Sequence, residues 1–80
     1  MPLDAEIESI LFWKGEALSI KKLASILNKT EEEIKSGLEV LTTKLEGRGV
    51  QLVYKEDEVM LGTRSEMGSI IESLIKEELV

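Results

Sequence analysis

Cysteine and histidine are both absent from this 80-residue chain. Without thiols there is no disulfide framework, and without thiols or imidazoles the usual zinc site and the His-based general acid or base are excluded. Only carboxylate, lysine, serine or threonine chemistry remains. No cofactor or metal is expected. Aromatic residues are limited to Phe12, Trp13 and Tyr54, and Pro2 is the sole proline. No Pro/Gly/Ser linker, internal repeat or low-complexity tract interrupts the chain. Bases are also scarce: ten stand against sixteen acids, a net charge of −6 that repels nucleic acid phosphate in bulk. No apolar run approaches the ~20 residues of a membrane span, and Asp4, Glu6 and Glu8 are wrong for a signal peptide. A soluble, unprocessed, cytoplasmic protein with no membrane partner is expected. A chain this short buries only about 60% of its unfolded surface, so support from a second copy or a second domain is expected too.

The pattern that is present centres on residues 15–45. Ser19 is a good N-cap for a short helix through Leu23 and Leu27, with Lys22 leaving it a single cap rather than a box. Thr30-Glu31-Glu32-Glu33 is a full capping box, and its acidic first turn suits the positive end of a longer helix. Two helix starts this close, joined across Asn28-Lys29, give the cadence of a helix-turn-helix. The longer helix runs from about Glu31 to Glu46, with Ile34, Leu38, Leu41 and Leu45 as a narrow buried stripe. Opposite that stripe stand Glu32, Lys35, Ser36, Glu39, Thr43 and Glu46. A DNA-reading winged helix would carry Arg, Lys, Asn or Gln there, and the single Lys35 is within helical reach of both Glu32 and Glu39.

Gly47-Arg48-Gly49 ends this helix through a left-handed glycine. Val50, Leu52 and Tyr54 then alternate with Gln51, Val53 and Lys55 as in a half-buried strand. Glu56-Asp57-Glu58 forms a tip, and Val59 to Thr63 returns. The three acids at the tip are a second argument against DNA, since a wing on DNA presents bases to phosphate. Before this unit, Asp4 to Lys14 reads as a helix with Leu3, Ile7, Ile10 and Leu11 on one side and Ala5 and Phe12 on the other. That second flank has two readings: a helix sandwiched in the core, with Phe12 and Trp13 packed on the wing, or one facing both core and partner. The first is the stronger. After Thr63-Arg64, Ser65 is a plausible cap for a last helix. Its Met67, Ile70, Ile71, Leu74 and Ile75 cover about 140°, more than one core face needs. The excess points to a partner surface; the plain alternative is that so small a domain needs every apolar residue for itself. The fold class is therefore α+β, mainly α: a winged helix-turn-helix of three helices, a β-hairpin wing and a C-terminal helix, spanning residues 1–80 as one domain.

Carboxylate runs occur at Glu31-Glu32-Glu33, Glu56-Asp57-Glu58 and Glu77-Glu78. Acid–base catalysis needs two carboxyls in a cleft with separated pKa values, whereas these lie at a helix start, a turn and a chain end. Gly47-Arg48-Gly49 follows a helix rather than opening one, so it lacks the helix N-terminus that would hold phosphate. No enzyme is expected.

Several segments together resemble a known family. They are Ile10-Leu11-Phe12, Gly15-Glu16-Ala17-Leu18-Ser19, Leu23-Ala24, Ile26-Leu27, the acidic cap of the third helix, Gly47-Arg48-Gly49-Val50-Gln51-Leu52-Val53 and Met60-Leu61-Gly62-Thr63-Arg64. This set is similar to the N-terminal domain of segregation and condensation protein B, ScpB. The resemblance implies a non-enzymatic accessory subunit of the condensin-like SMC–kleisin complex, associated with the nucleoid, with two winged-helix domains per chain. It further implies homodimerisation through the N-terminal domain and binding, chiefly by the C-terminal domain, to the kleisin ScpA, and through it to SMC. The sequence departs from the family in lacking a glycine pair at the wing tip, and Val80 falls about where a second domain would begin. Phe12, Trp13, Met67, Ile71, Ile75 and Leu79 are the expected dimer or partner contacts. The competing reading is a DNA-binding transcriptional regulator using Lys35, Lys44, Arg48 and Arg64, which rests on fold alone.

Overall fold

A computed structural model describes residues 1–78 of the chain. Its elements run α1 (Leu3–Lys14), β1 (Leu18–Ser19), α2 (Ile20–Leu27), α3 (Glu31–Lys44), β2 (Val50–Lys55), β3 (Glu58–Thr63) and α4 (Gly68–Glu78), the last preceded by a 3₁₀ turn at Ser65–Met67. This is the winged helix-turn-helix that the capping and periodicity dictate. Ser19 accepts the Lys22 N–H at 2.9 Å, starting α2. At α3 the capping box is complete: Thr30 Oγ1 accepts the Glu33 N–H, and Glu33 Oε1 accepts the Thr30 N–H, both at 3.1 Å.

The core lies where α1 and α2 pack on α3 and the wing closes one side. Ile7, Leu11, Leu23, Ile34, Leu38, Leu41 and Val59 are its fully buried side chains. At Gly37 the helices come very close, because a Cβ there would sit 2.8 Å from Ile7 Cδ1 and 3.3 Å from Leu3 Cδ2. The same α1–α3 contact buries a charge: Asp4 is only 7% exposed, and Lys44 Nζ reaches its carboxylate at 2.8 Å.

The sheet order is β1-β3-β2, all antiparallel, so the return strand of the wing is central. Leu18 pairs with Val59 and Ser19 with Glu58, while Lys55 pairs with Glu58 across the two-residue turn Glu56-Asp57. Glu56 takes the left-handed φ of 58° that a glycine would adopt freely. The two-residue strand β1 has no local signature in the sequence. It exists only because the wing folds back onto it.

Three local expectations are corrected. Leu45 caps α3 in a right-handed conformation, and the left-handed residue, Gly47 at φ 76°, comes two positions later. Ser65 does not cap α4; its hydroxyl donates to Glu66 Oε1 at 3.3 Å within the 3₁₀ turn, and α4 begins at Gly68. Phe12 and Trp13 do not pack into the core or under the wing, being 80% and 83% exposed. Ile7 and Leu11 already fill the space beneath α1, so the two aromatics one and two positions beyond Leu11 are turned outward.

Candidate interaction surface

Arg64 builds the base from which α4 departs. Its Nη2 donates to Leu45 O at 2.8 Å, its Nε to Arg48 O at 3.1 Å and its Nη1 to Gln51 Oε1 at 3.4 Å. One side chain thus ties the end of α3, the following loop and the wing together. From that anchor α4 extends with no buried residue among those described. Ile70, Leu74 and Ile75 are half exposed or more, and Met67 and Ile71 only half-buried. For a helix with this apolar arc, that is an uncovered face rather than a finished one.

The predicted contact residues fall into separate places. Phe12 borders a groove of about 410 Å³ between α1 and the wing, with Val50 and Leu61. Trp13, its neighbour, borders a different groove of about 360 Å³ between α1 and α2, with Ile10, Leu18 and Ile26 as apolar lining and Lys14 and Lys22 at its sides. Met67, Ile71 and Ile75 lie on the α4 side; Leu79 lies outside the described residues. The structure therefore does not gather these six into one patch. Sequence reasoning passed over Ile70 and Leu74, although the same broad arc contained them. It also passed over a charge segregation: Ala17 to Thr30 holds Lys21, Lys22 and Lys29 and no acid, in a chain of net −6.

The face that a DNA-reading winged helix would use is acidic and open here. Glu32, Glu39 and Glu46 on α3 and Glu56, Asp57 and Glu58 at the wing tip are all exposed. Among the described residues Lys35 forms no ion pair within 4.0 Å, contrary to the local neutralisation expected from Glu32 and Glu39. Two of the four cations a DNA reading needs have structural duties, Lys44 on Asp4 and Arg64 on the α3–wing junction. Beside this face, burial pushes the Tyr54 phenol above its ordinary value; the Thr42 hydroxyl opposes the shift and the Glu39 carboxylate adds to it.

The family model for the segregation and condensation complex subunit ScpB matches residues 5–79. The chain belongs to the segregation and condensation protein B family. Among curated relatives of that name, the chain is 36% identical over 81 residues to one from Caldanaerobacter subterraneus subsp. tengcongensis, covering 99% of this chain and 48% of the relative. It is 40% identical over 76 residues to one from Carboxydothermus hydrogenoformans, covering 92% and 41%. The chain thus spans about half the length of the curated relatives it matches. A crystal structure of a dimer of the ScpB N-terminal domain complexed with ScpA peptide superposes with a TM-score of 0.83 at 33% identity, covering 91% of this chain and 94% of that one. ScpB from Mycobacterium tuberculosis shares the fold, with a TM-score of 0.86 over 98% of this chain and 50% of that one at 18% identity.

Proposed function

We propose that this domain is the dimerising, N-terminal winged-helix part of a two-domain accessory subunit in an SMC–kleisin chromosome-segregation complex, with no catalytic step of its own. The uncovered apolar face of α4 carries the reading, because an exposed helix of this kind gains most by burial against another protein surface. The solved N-terminal domain at 33% identity is a dimer holding a ScpA peptide, which supports self-association and a kleisin partner here. Through that kleisin the subunit would reach SMC, and its place would be the cytoplasm, on the nucleoid. Phe12, Trp13, Met67, Ile71 and Ile75 are the proposed contact residues, joined by Ile70 and Leu74. Direct, specific DNA binding is not part of the proposal, given the acidic α3 face and wing tip.

Sedimentation equilibrium at micromolar concentration tests it. The expected species has twice the 9.0 kDa chain mass, and Leu74→Asp with Ile75→Asp returns it to a single chain without loss of helical circular dichroism. A wild-type monomer throughout the range defeats the dimer reading.

A further inference from the structure

Two apolar surfaces are left open by this fold, and their surroundings differ in sign. The groove between α1 and α2 is lined by Ile10, Trp13, Leu18 and Ile26, with Lys14 and Lys22 beside it. Behind Lys22 the segment from Ala17 to Thr30 is free of acids. Of these cations, Lys14 has only a long exposed contact to Glu16 at 3.7 Å, too weak and solvated to occupy it. The other surface is α4. On its ridge Ile70, Leu74 and Glu77 follow one another at steps of four and three, so the apolar edge ends in a carboxylate, and Glu66 adds another in the 3₁₀ turn that precedes the helix. Lys76 makes a similarly long and exposed contact to Glu72 at 3.6 Å, and it stands alone against Glu66, Glu72, Glu77 and Glu78, so the segment from Glu66 to Glu78 stays acidic.

We infer that α4 of one copy lies in the α1–α2 groove of a second copy, and reciprocally, so that the dimer is formed by two identical helix-in-groove contacts rather than by α4 pairing with α4. This rests on the dimer reading above and specifies its geometry. Charge decides between the two arrangements. Two α4 edges brought together place Glu66 and Glu77 near like charges, whereas the groove meets them with Lys14 and Lys22. Volume agrees: about 360 Å³ is within the range that accepts a few apolar side chains, as Ile70 and Leu74 would supply. A two-fold axis makes the contact occur twice and closes the assembly. In this arrangement Trp13, on the groove, and Leu74, on the helix, belong to one interface despite lying apart in the single chain.

The absence of native cysteine makes the test direct. Ile26→Cys and Leu74→Cys are prepared as separate proteins, one with a mass tag, and oxidised with diamide alone and mixed. Both positions are solvent-exposed, so neither variant disturbs the core. The inference expects a mixed disulfide at least about tenfold more abundant than either homotypic one, since only Cα atoms within ~7 Å can be bridged. Strong cross-linking of the Leu74→Cys protein with itself, and none to the Ile26→Cys protein, overturns the groove geometry while leaving dimerisation intact. Absence of every cross-link in a chain that also sediments as a monomer overturns both. A lysine rim that serves DNA phosphate instead would show as duplex binding at low salt lost on Lys21→Glu with Lys22→Glu, without mixed disulfide, and equally overturns it.

Discussion

Helices α3 and α4 carry similar patterns and meet different fates. Each has apolar residues at steps of three and four, and each is flanked by acids. Yet α3 buries Ile34, Gly37, Leu38 and Leu41, while α4 buries nothing among the described residues. A hydrophobic stripe states that a face must be covered; it does not state by what. What separates the two is the rest of the chain: α1 and α2 both lie on α3, whereas α4 leaves the body once Arg64 has fixed its starting point.

If that contrast is right, the same truncation must have opposite consequences in the two helices. Leu38→Ala, at a position 2% exposed, is expected to cost about 3 kcal/mol of folding stability through lost burial and a residual cavity, read as a lowered urea midpoint at unchanged slope. Gly37→Val should cost about 2 kcal/mol by forcing α1 away from α3, and its effect should be lost in an additional Ile7→Ala variant that removes the crowded methyl. Thr30→Ala, which deletes the α3 cap, should cost about 1 kcal/mol. Leu74→Ala should change folding stability by no more than about 0.5 kcal/mol when measured in dilute solution where the chain is monomeric. A cost for Leu74→Ala comparable to that for Leu38→Ala would erase the distinction between the helices.

Acid provides a subtler probe of α3. Hydrogen bonds from the Thr30 backbone and side chain hold the Glu33 carboxyl below its ordinary value of 4.5. Because the folded value lies below the unfolded one, its contribution is present above pH 4.5 and lost as pH falls through the folded value. Glu33→Gln should therefore flatten part of the fall in urea midpoint on acidification, and the largest difference between variant and parent should appear near neutrality.

The features legible in the sequence were those with local causes. Ser19 and Thr30 announced α2 and α3 because a cap is a contact over three residues, and the hairpin formed about Glu56-Asp57 as expected, although Val50 and Tyr54, read as part of the half-buried face of β2, are exposed. Features made by distant parts of the chain were not legible. The pairing of Leu18 with Val59, the ion pair of Asp4 with Lys44 and the three-way grip of Arg64 each join residues that only the finished fold brings together. The uncovered apolar surface was half legible. Breadth of the α4 arc revealed an apolar excess, and Ile70 and Leu74, in that arc but not among the named contacts, are about as exposed as Ile75, which is among them. Phe12 and Trp13 were read together because they are adjacent, whereas in a helix adjacent residues diverge by about 100° and so reach different grooves.

The short strand β1 also decides how the wing can behave. Besides the pairing of Leu18 with Val59, the Ile20 N–H donates to Asp57 O at 3.1 Å, fastening the hairpin's turn to the first residue of α2. A hairpin held at both its root, through Arg64, and its tip has no hinge about which to swing. Force applied to the acidic turn by anything that grasps it would be passed directly to the helix-turn-helix as rigid displacement, and the Ile20 amide should exchange with solvent as slowly as those of the core helices.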